Sequence, residues 1–181
     1  MDVPVPHDAV NRAFVVGKLP FHGDFVARGA SASERRQIDQ WLADSVAIAR
    51  AQFGREFEET FDAATPWRFA WQDGQWTAGA LAPSVDSSGR RFPLLVGRSD
   101  LATEQVEAGA KLCESVAGEA ISMRWSADQL LQAVAAADVS GEGPDPVEGW
   151  WNEDFAKARL RDRLPPGILS HILAPVTGAS A

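Results

Sequence analysis

The chain is poor in the residues that build covalent or metal-based scaffolds. Its one cysteine, Cys113, cannot form a disulfide within the chain or contribute to a cysteine-rich metal cluster. Its three histidines, His7, His22 and His171, are scattered without the spacing of metal ligands. The sequence therefore predicts no metal site and no cofactor, and Cys113 is expected to be a small buried side chain on a helix.

Positive charge and long apolar runs are also scarce. The chain has 17 Lys and Arg against 25 Asp and Glu, which gives a formal net charge of -8. A nucleic-acid binder needs a basic face, and docking on an anionic membrane needs clustered Lys and Arg, so the composition disfavours both. No apolar run approaches the length of a membrane span, and residues 1–7 hold no segment of signal-peptide type. We therefore expect a soluble, cytoplasmic protein.

Length and composition fit one globular domain. A chain of 181 residues with 45% apolar residues is long enough to bury a substantial core. Residues 1–12 predict a flexible lead-in, and residues 13–181 predict a single domain. The sequence predicts no particular oligomeric state.

Capping signals and apolar periodicity predict the helices. Ser31 followed by Glu34 is a capping box, and the helix that it begins keeps an apolar stripe as far as Phe53. The other expected helices are 55–63, one from Asp100 or Thr103 to Ile121, one from Ser126 to about Ala137, and a surface helix over 154–163.

Alternating side chains predict the strands. Trp67, Phe69 and Trp71 alternate with smaller or more polar residues, and Asp73-Gly74 is typical of a two-residue hairpin turn. That turn would place Trp71 opposite Trp76. The other expected strands are 13–18, 91–97 and 147–151, with 168–173 as a final strand or a packed tail. Because neighbouring strand residues face opposite ways, one of Trp150 and Trp151 is expected to be exposed or covered by that tail.

Helices on both sides of these strands predict an α/β fold. The apolar helix stripes must be buried, and the sheet is the available surface. We expect a three-layer α/β/α sandwich with a central, largely antiparallel meander sheet.

Two loops are dense in turn-forming and polar residues. The first motif loop, 17–26, contains Lys18, His22 and Asp24, and the second motif loop, 83–93, contains Ser84 and Asp86. One interpretation is a functional loop at a strand end, where α/β proteins place ligands. The other is structural, with Asp24 capping backbone amides or pairing with Lys18.

Three functional interpretations of these loops remain open. In the first, Arg90 or Arg91 crosses to a carboxylate such as Asp24 and holds the loops together. This would give a protein-binding surface rimmed by Phe21, Phe25 and Phe92, since Arg and aromatic residues are common at binding hot spots.

The other two interpretations involve small molecules. Lys18, Arg90 and Arg91 could form a small-ligand or phosphate sensor. Alternatively, Ser84 could act as a nucleophile with His22 as base and Asp24 or Asp86 as its orienting carboxylate. The Gly-x-Ser-x-Gly elbow of common serine hydrolases is absent, which disfavours the hydrolase.

The two loops also carry a family resemblance. The stretch Gly17-Lys18-Leu19-Pro20 followed by Gly23-Asp24-Phe25-Val26 resembles the opening signature of the TagF/ImpM family of bacterial type VI secretion. The stretches Pro83-Ser84-Val85-Asp86 and Gly89-Arg90-Arg91-Phe92-Pro93-Leu94 resemble the second block of the same family. The strand Trp67-Arg68-Phe69 and the pair Trp150-Trp151 also fit, so the resemblance covers roughly 13–152.

The resemblance implies both a fold and a role. TagF-like proteins are expected to have the three-layer α/β/α arrangement. They are non-enzymatic, cytoplasmic accessories that act after translation and typically restrain the assembly or firing of the secretion machine. They bind a forkhead-associated scaffold protein, which is therefore the partner that the resemblance implies for this chain.

Overall fold

A six-stranded antiparallel sheet forms the centre of the protein. The computed structural model describes residues 12–152 and 160–174. The strands lie in the order β2–β1–β5–β4–β3–β6. They are β1 (Ala13–Gly17), β2 (Val26–Arg28), β3 (Trp67–Asp73), β4 (Gln75–Ala82), β5 (Leu94–Leu101) and β6 (Gly149–Trp151).

Five α-helices lie in the described residues. They are α1 (Ala32–Phe53), α2 (Phe57–Ala63), α3 (Val106–Ser122), α4 (Ala127–Ala136) and α5 (Ile168–Leu173). The predicted capping box at Ser31 and the predicted helix start at Ser126 are confirmed. Both serines form capping boxes, because each exchanges side-chain and backbone hydrogen bonds with the residue three positions on. Each box satisfies amide groups that would otherwise have no partner in the first helical turn.

The helices cover both faces of the sheet, which confirms the three-layer α/β/α expectation. Helices α1, α2 and α5 pack on one face around buried aromatic side chains. Helices α3 and α4 pack on the other face, in a cluster of smaller side chains. Cys113 belongs to this cluster from its position on α3 and is buried as expected. The buried aromatic residues on the first face are Trp41, Phe57, Phe61, Trp67, Phe69 and Trp150.

The predicted register of the β3–β4 hairpin is wrong by one residue. Asp73 pairs with Gln75, so Trp71 lies opposite Thr77 and Trp76 lies opposite Gln72. A one-residue slip moves every side chain of a strand to the other face, and here it puts Trp71 and Trp76 on opposite sides of the sheet. The observed register also sets Phe69 across from Gly79, where an added Cβ would lie 2.6 Å from the ring.

The late tryptophans are both buried. Trp150 packs with α5 in the aromatic cluster, whereas Trp151 lies in the cluster against α3, so neither is exposed and the tail covers Trp150. Segment 168–173 is a packed helix, and the strand alternative is wrong. Its apolar residues recur four positions apart, the spacing of one helix face.

Two expectations fall wholly or mainly outside the described residues. These are the lead-in, of which only Arg12 is described, and the surface helix over 154–163, of which residues 154–159 are not described. Where the second segment is described again, Leu160 forms a β-bridge with Trp150 and residues 161–163 are not helical. Within 12–152 and 160–174, no helix combines the length and the apolar character that crossing a bilayer requires.

Candidate functional site

The two motif loops lie side by side at one end of the sheet. Strand β1 leads into the first loop and the second loop leads into β5, and these strands are neighbours with Gly17 paired to Leu94. The backbone amide of Ser87 donates a hydrogen bond of 2.8 Å to the carbonyl of His22. The predicted proximity of the two loops is therefore correct.

Gly17 permits the close approach of the loops. Its φ is +137°, and an added Cβ would lie 2.3 Å from the carbonyl oxygen of Pro93. Residues with a side chain rarely adopt that backbone conformation. The Pro93 carbonyl lies next to Leu94, which is paired with Gly17, so it cannot move away cheaply. The glycine is therefore required where the first loop leaves β1.

A buried carboxylate, Asp86, organises the second loop and joins it to the first. Its Oδ2 accepts hydrogen bonds from Nζ of Lys18 at 2.9 Å and from Nε of Arg90 at 2.6 Å. Its Oδ1 accepts from the backbone amides of Ser88 at 2.9 Å and Arg90 at 3.0 Å. The side chain has 0% exposure, so both oxygens are satisfied without water.

These contacts keep Asp86 ionised. Burial alone would raise the pKa of its carboxyl group, but the hydrogen bonds from Lys18 and from the amide and side chain of Arg90, with that from Ser88, outweigh it. The net effect holds the pKa of Asp86 well below its usual range.

The arginines do cross to other elements, but not to Asp24. Arg90 donates from Nη2 to the carbonyl of Gly23 at 2.7 Å. Arg91 forms a bidentate pair with Asp62 on α2, with distances of 2.7 and 2.6 Å. Asp24 is exposed, and in the described part of the chain it has no ion pair. The crossing arginine was thus predicted correctly, whereas its acceptor and the Lys18–Asp24 pair were wrong, because the nearest buried carboxylate to Lys18 is Asp86.

Arg91 fastens the second loop to α2. Its Nη1 also lies 3.2 Å from Glu58, and the hydrogen bond from Arg91 lowers the pKa of Asp62. The sequence argument missed both acceptors. Their four-residue spacing, which puts two carboxylates on one side of a helix, was the signal that could have indicated an arginine partner.

The predicted aromatic rim divides into packed and exposed members. Phe25 and Phe92 meet edge to face with ring centroids 5.9 Å apart, and Nζ of Lys18 lies 5.5 Å from the Phe92 centroid. Phe21 is 56% exposed, and its ring meets that of His22 edge-on at 5.0 Å. Phe21 is therefore the rim residue available to a partner.

A third loop, 123–126 between α3 and α4, joins the same site. Nε2 of His22 accepts a hydrogen bond of 3.0 Å from the backbone amide of Ala127, in the first turn of α4. Nη2 of Arg124 donates to the carbonyl of Pro20 at 2.8 Å. Nothing in the local sequence pattern signals these contacts, because they depend on how α4 packs against β1.

The geometry does not assemble the hydrolase arrangement. Ser84 is 3% exposed, and its hydroxyl makes a long contact of 3.5 Å to the carbonyl of Val85. The Nε2 atom of His22 already accepts from Ala127. Asp86 faces Lys18 and Arg90. Among the residues that the structure describes, no hydrogen bond links Ser84 to His22, or His22 to Asp24 or Asp86, as the hydrolase arrangement would require.

The cations of the proposed phosphate sensor are already paired. Lys18 and Arg90 share Asp86, and Arg91 faces Asp62 and Glu58. A phosphate would have to displace these carboxylates. Across the residues that the structure describes, no three His, Cys, Asp or Glu side chains are grouped as metal ligands.

Comparison with known proteins assigns the family. The fold is similar to the crystal structure of PA0076 from Pseudomonas aeruginosa PAO1, with a TM-score of 0.58 and 24% identity over 89% of this chain and 76% of that chain. At this identity the likeness shows the fold alone. No curated protein sequence matches the chain. The TagF N-terminal domain, described as type VI secretion system-associated, matches residues 15–138, which include all three loops. The chain belongs to the TagF N-terminal domain family, a family associated with the type VI secretion system.

Proposed function

We propose that this protein is a cytoplasmic, non-enzymatic accessory that restrains the type VI secretion machine after translation, by binding a forkhead-associated scaffold protein. The observation that carries the proposal is the interlocked face of the two motif loops. Ser87 bonds to the carbonyl of His22, and Arg90 bonds to that of Gly23. The face is held in one conformation before any partner arrives.

Such a face suits binding better than catalysis. A surface fixed in advance loses little conformational entropy on association. The polar groups at its centre are used to hold the loops together, as the contacts of Lys18, Asp86 and Arg90 illustrate. Exposed positions such as Phe21 and Ser88 remain free to meet a partner.

The first test is a calorimetric titration of the full chain with the forkhead-associated scaffold of the same organism. We expect a saturable complex, and we expect secretion of type VI substrates to rise when the gene is deleted and to fall again on complementation. An absence of binding, or secretion that does not change, would contradict the proposed role.

A steric variant tests whether the loop face makes the contact. Ser88 is exposed, and it bonds to Asp86 through its backbone amide alone. The substitution Ser88→Trp therefore adds bulk to the surface of the two motif loops and keeps the hydrogen bonds around Asp86. The matched control is Ser115→Trp, at an exposed position on α3. We expect Ser88→Trp to abolish binding and the control to retain it. Equal binding by both would move the contact to another surface.

A further inference from the structure

Two large apolar side chains are exposed beside the loop face. Phe21 is 56% exposed and Met123 is 67% exposed. A hydrogen bond from Arg124 to the carbonyl of Pro20 joins their two loops. Phe21 follows Pro20 in the sequence, and Met123 precedes Arg124. Buried apolar area is the main source of binding energy, and Phe, Met and Arg are enriched in interfaces.

The first of these side chains sits on a rigid turn. The amide of His22 donates to the carbonyl of Leu19 at 3.0 Å and its carbonyl accepts from Ser87. Its ring accepts from Ala127 and meets Phe21 edge-on. Phe21 is therefore presented in a fixed position, which reduces the entropy lost when it enters a pocket.

Cations border both apolar side chains. Arg90 has 61% of its side chain exposed, and Arg124 is exposed on the neighbouring loop. Lys18 and Arg90 share the single carboxylate Asp86. Counted with Arg124, these three cations exceed the two local carboxylates, Asp24 and Asp86, by one positive charge. The whole chain, in contrast, has a net charge of -8.

The contrast between the local positive charge and the negative net charge of the chain indicates what kind of partner surface would bind here. An acidic surface would be repelled by the net negative charge of the chain and attracted by the local positive charge at these loops, which orients the encounter. We propose that Phe21 and Met123, flanked by Arg90 and Arg124, anchor a partner surface that has an apolar recess bordered by carboxylates. The inference rests on the proposed function and takes that surface to lie on the scaffold protein.

The apolar anchor is tested with the double variant Phe21→Ser/Met123→Ser. Both side chains are exposed, so the fold should persist, and circular dichroism verifies it. The matched control is Ile48→Ser, an exposed apolar residue on α1. We expect the double variant to weaken scaffold binding by at least roughly thirtyfold, the loss typical of a hot-spot residue, and the control to change it less than about twofold.

The charge of the partner surface is tested with Arg124→Glu against Arg36→Glu, an exposed arginine on α1. We expect only Arg124→Glu to weaken binding, and the wild-type Kd to rise with salt. Binding by wild type that the double variant leaves unchanged, or that salt strengthens, would overturn this inference alone. No binding by wild type would overturn the proposed function and this inference with it.

Discussion

Nζ of Lys18 lies 2.9 Å from Oδ2 of Asp86, although 68 positions separate the two residues in the sequence. Because the Asp86 side chain has 0% exposure, this contact is shielded from water, unlike most surface ion pairs. The pair is the centre of the face on which the proposed function depends. Its properties lead to the first two predictions.

Replacing Asp86 with Asn should lower the free energy of unfolding by about 2–4 kcal/mol, since it leaves Lys18 and Arg90 without their anion. Urea unfolding followed by circular dichroism measures the loss. The control is Asp24→Asn, at an exposed carboxylate outside the network, which should change stability by less than about 0.5 kcal/mol. Equal effects would show that Asp86 does not hold the loops.

The contribution of Asp86 should depend on pH in one direction only. Its folded-state pKa is lowered, so the folded state releases its proton more readily than the unfolded state does. The stability it supplies is full above the unfolded pKa of about 3.9 and is lost as pH falls further.

The measurement is the difference in unfolding free energy between wild type and Asp86→Asn at several pH values. We expect this difference to be flat from about pH 7 to 5 and to shrink below about pH 4. Asp62 and Glu34, whose pKa values are also lowered, are present in both proteins and cancel. A difference that grows toward acid would contradict the assignment.

Substituting alanine at two glycines should change stability in opposite directions. Gly17→Ala meets the Pro93 carbonyl at a positive φ and should cost at least about 2 kcal/mol. Gly118→Ala on α3 meets no atom within 4 Å and should stabilise by about 0.5–1 kcal/mol. Thermal unfolding of both variants tests this, and a tolerated Gly17→Ala would show that the loops do not approach as closely as described.

A serine-reactive fluorophosphonate probe should not label the folded protein at Ser84. Ser84 is 3% exposed and its hydroxyl contacts the carbonyl of Val85. The base of the hydrolase interpretation, His22, is engaged with Ala127. Mass spectrometry of labelled wild type is compared with Ser84→Ala. Stoichiometric labelling of Ser84 in the folded wild type would restore the hydrolase interpretation.

Local signals predicted local structure well. The capping boxes at Ser31 and Ser126 gave correct helix starts, because the residues that satisfy the first-turn amides lie within three positions. The prediction of the β3–β4 register was wrong because turn chemistry alone does not determine that register. The fit of the Phe69 ring over Gly79 and the division of Trp71 and Trp76 between two helical layers depend on the whole sheet.

The site shows the same division between local and distant information. The residue types of the site and the proximity of the two loops were predicted from the sequence. The pairing of Arg91 with Asp62 on α2 and the hydrogen bond of His22 with the first turn of α4 were not. An exposed carboxylate such as Asp24 and a buried one such as Asp86 look alike in sequence. Only the packing of β1 beside β5 decides which of them meets Lys18.

The order of strands in the sheet also bears on how the protein is made. A ribosome that adds 5–20 residues each second needs roughly 3–14 s to pass from Lys18 to Asp86, 68 positions later. Strand β1 pairs with β5 rather than with β3 or β4. During that interval β5 has not been synthesised, so β1 cannot form this pairing. A nascent or truncated chain that ends before β5 cannot present the joined loops, so a partner that binds them recognises only molecules whose synthesis has passed β5.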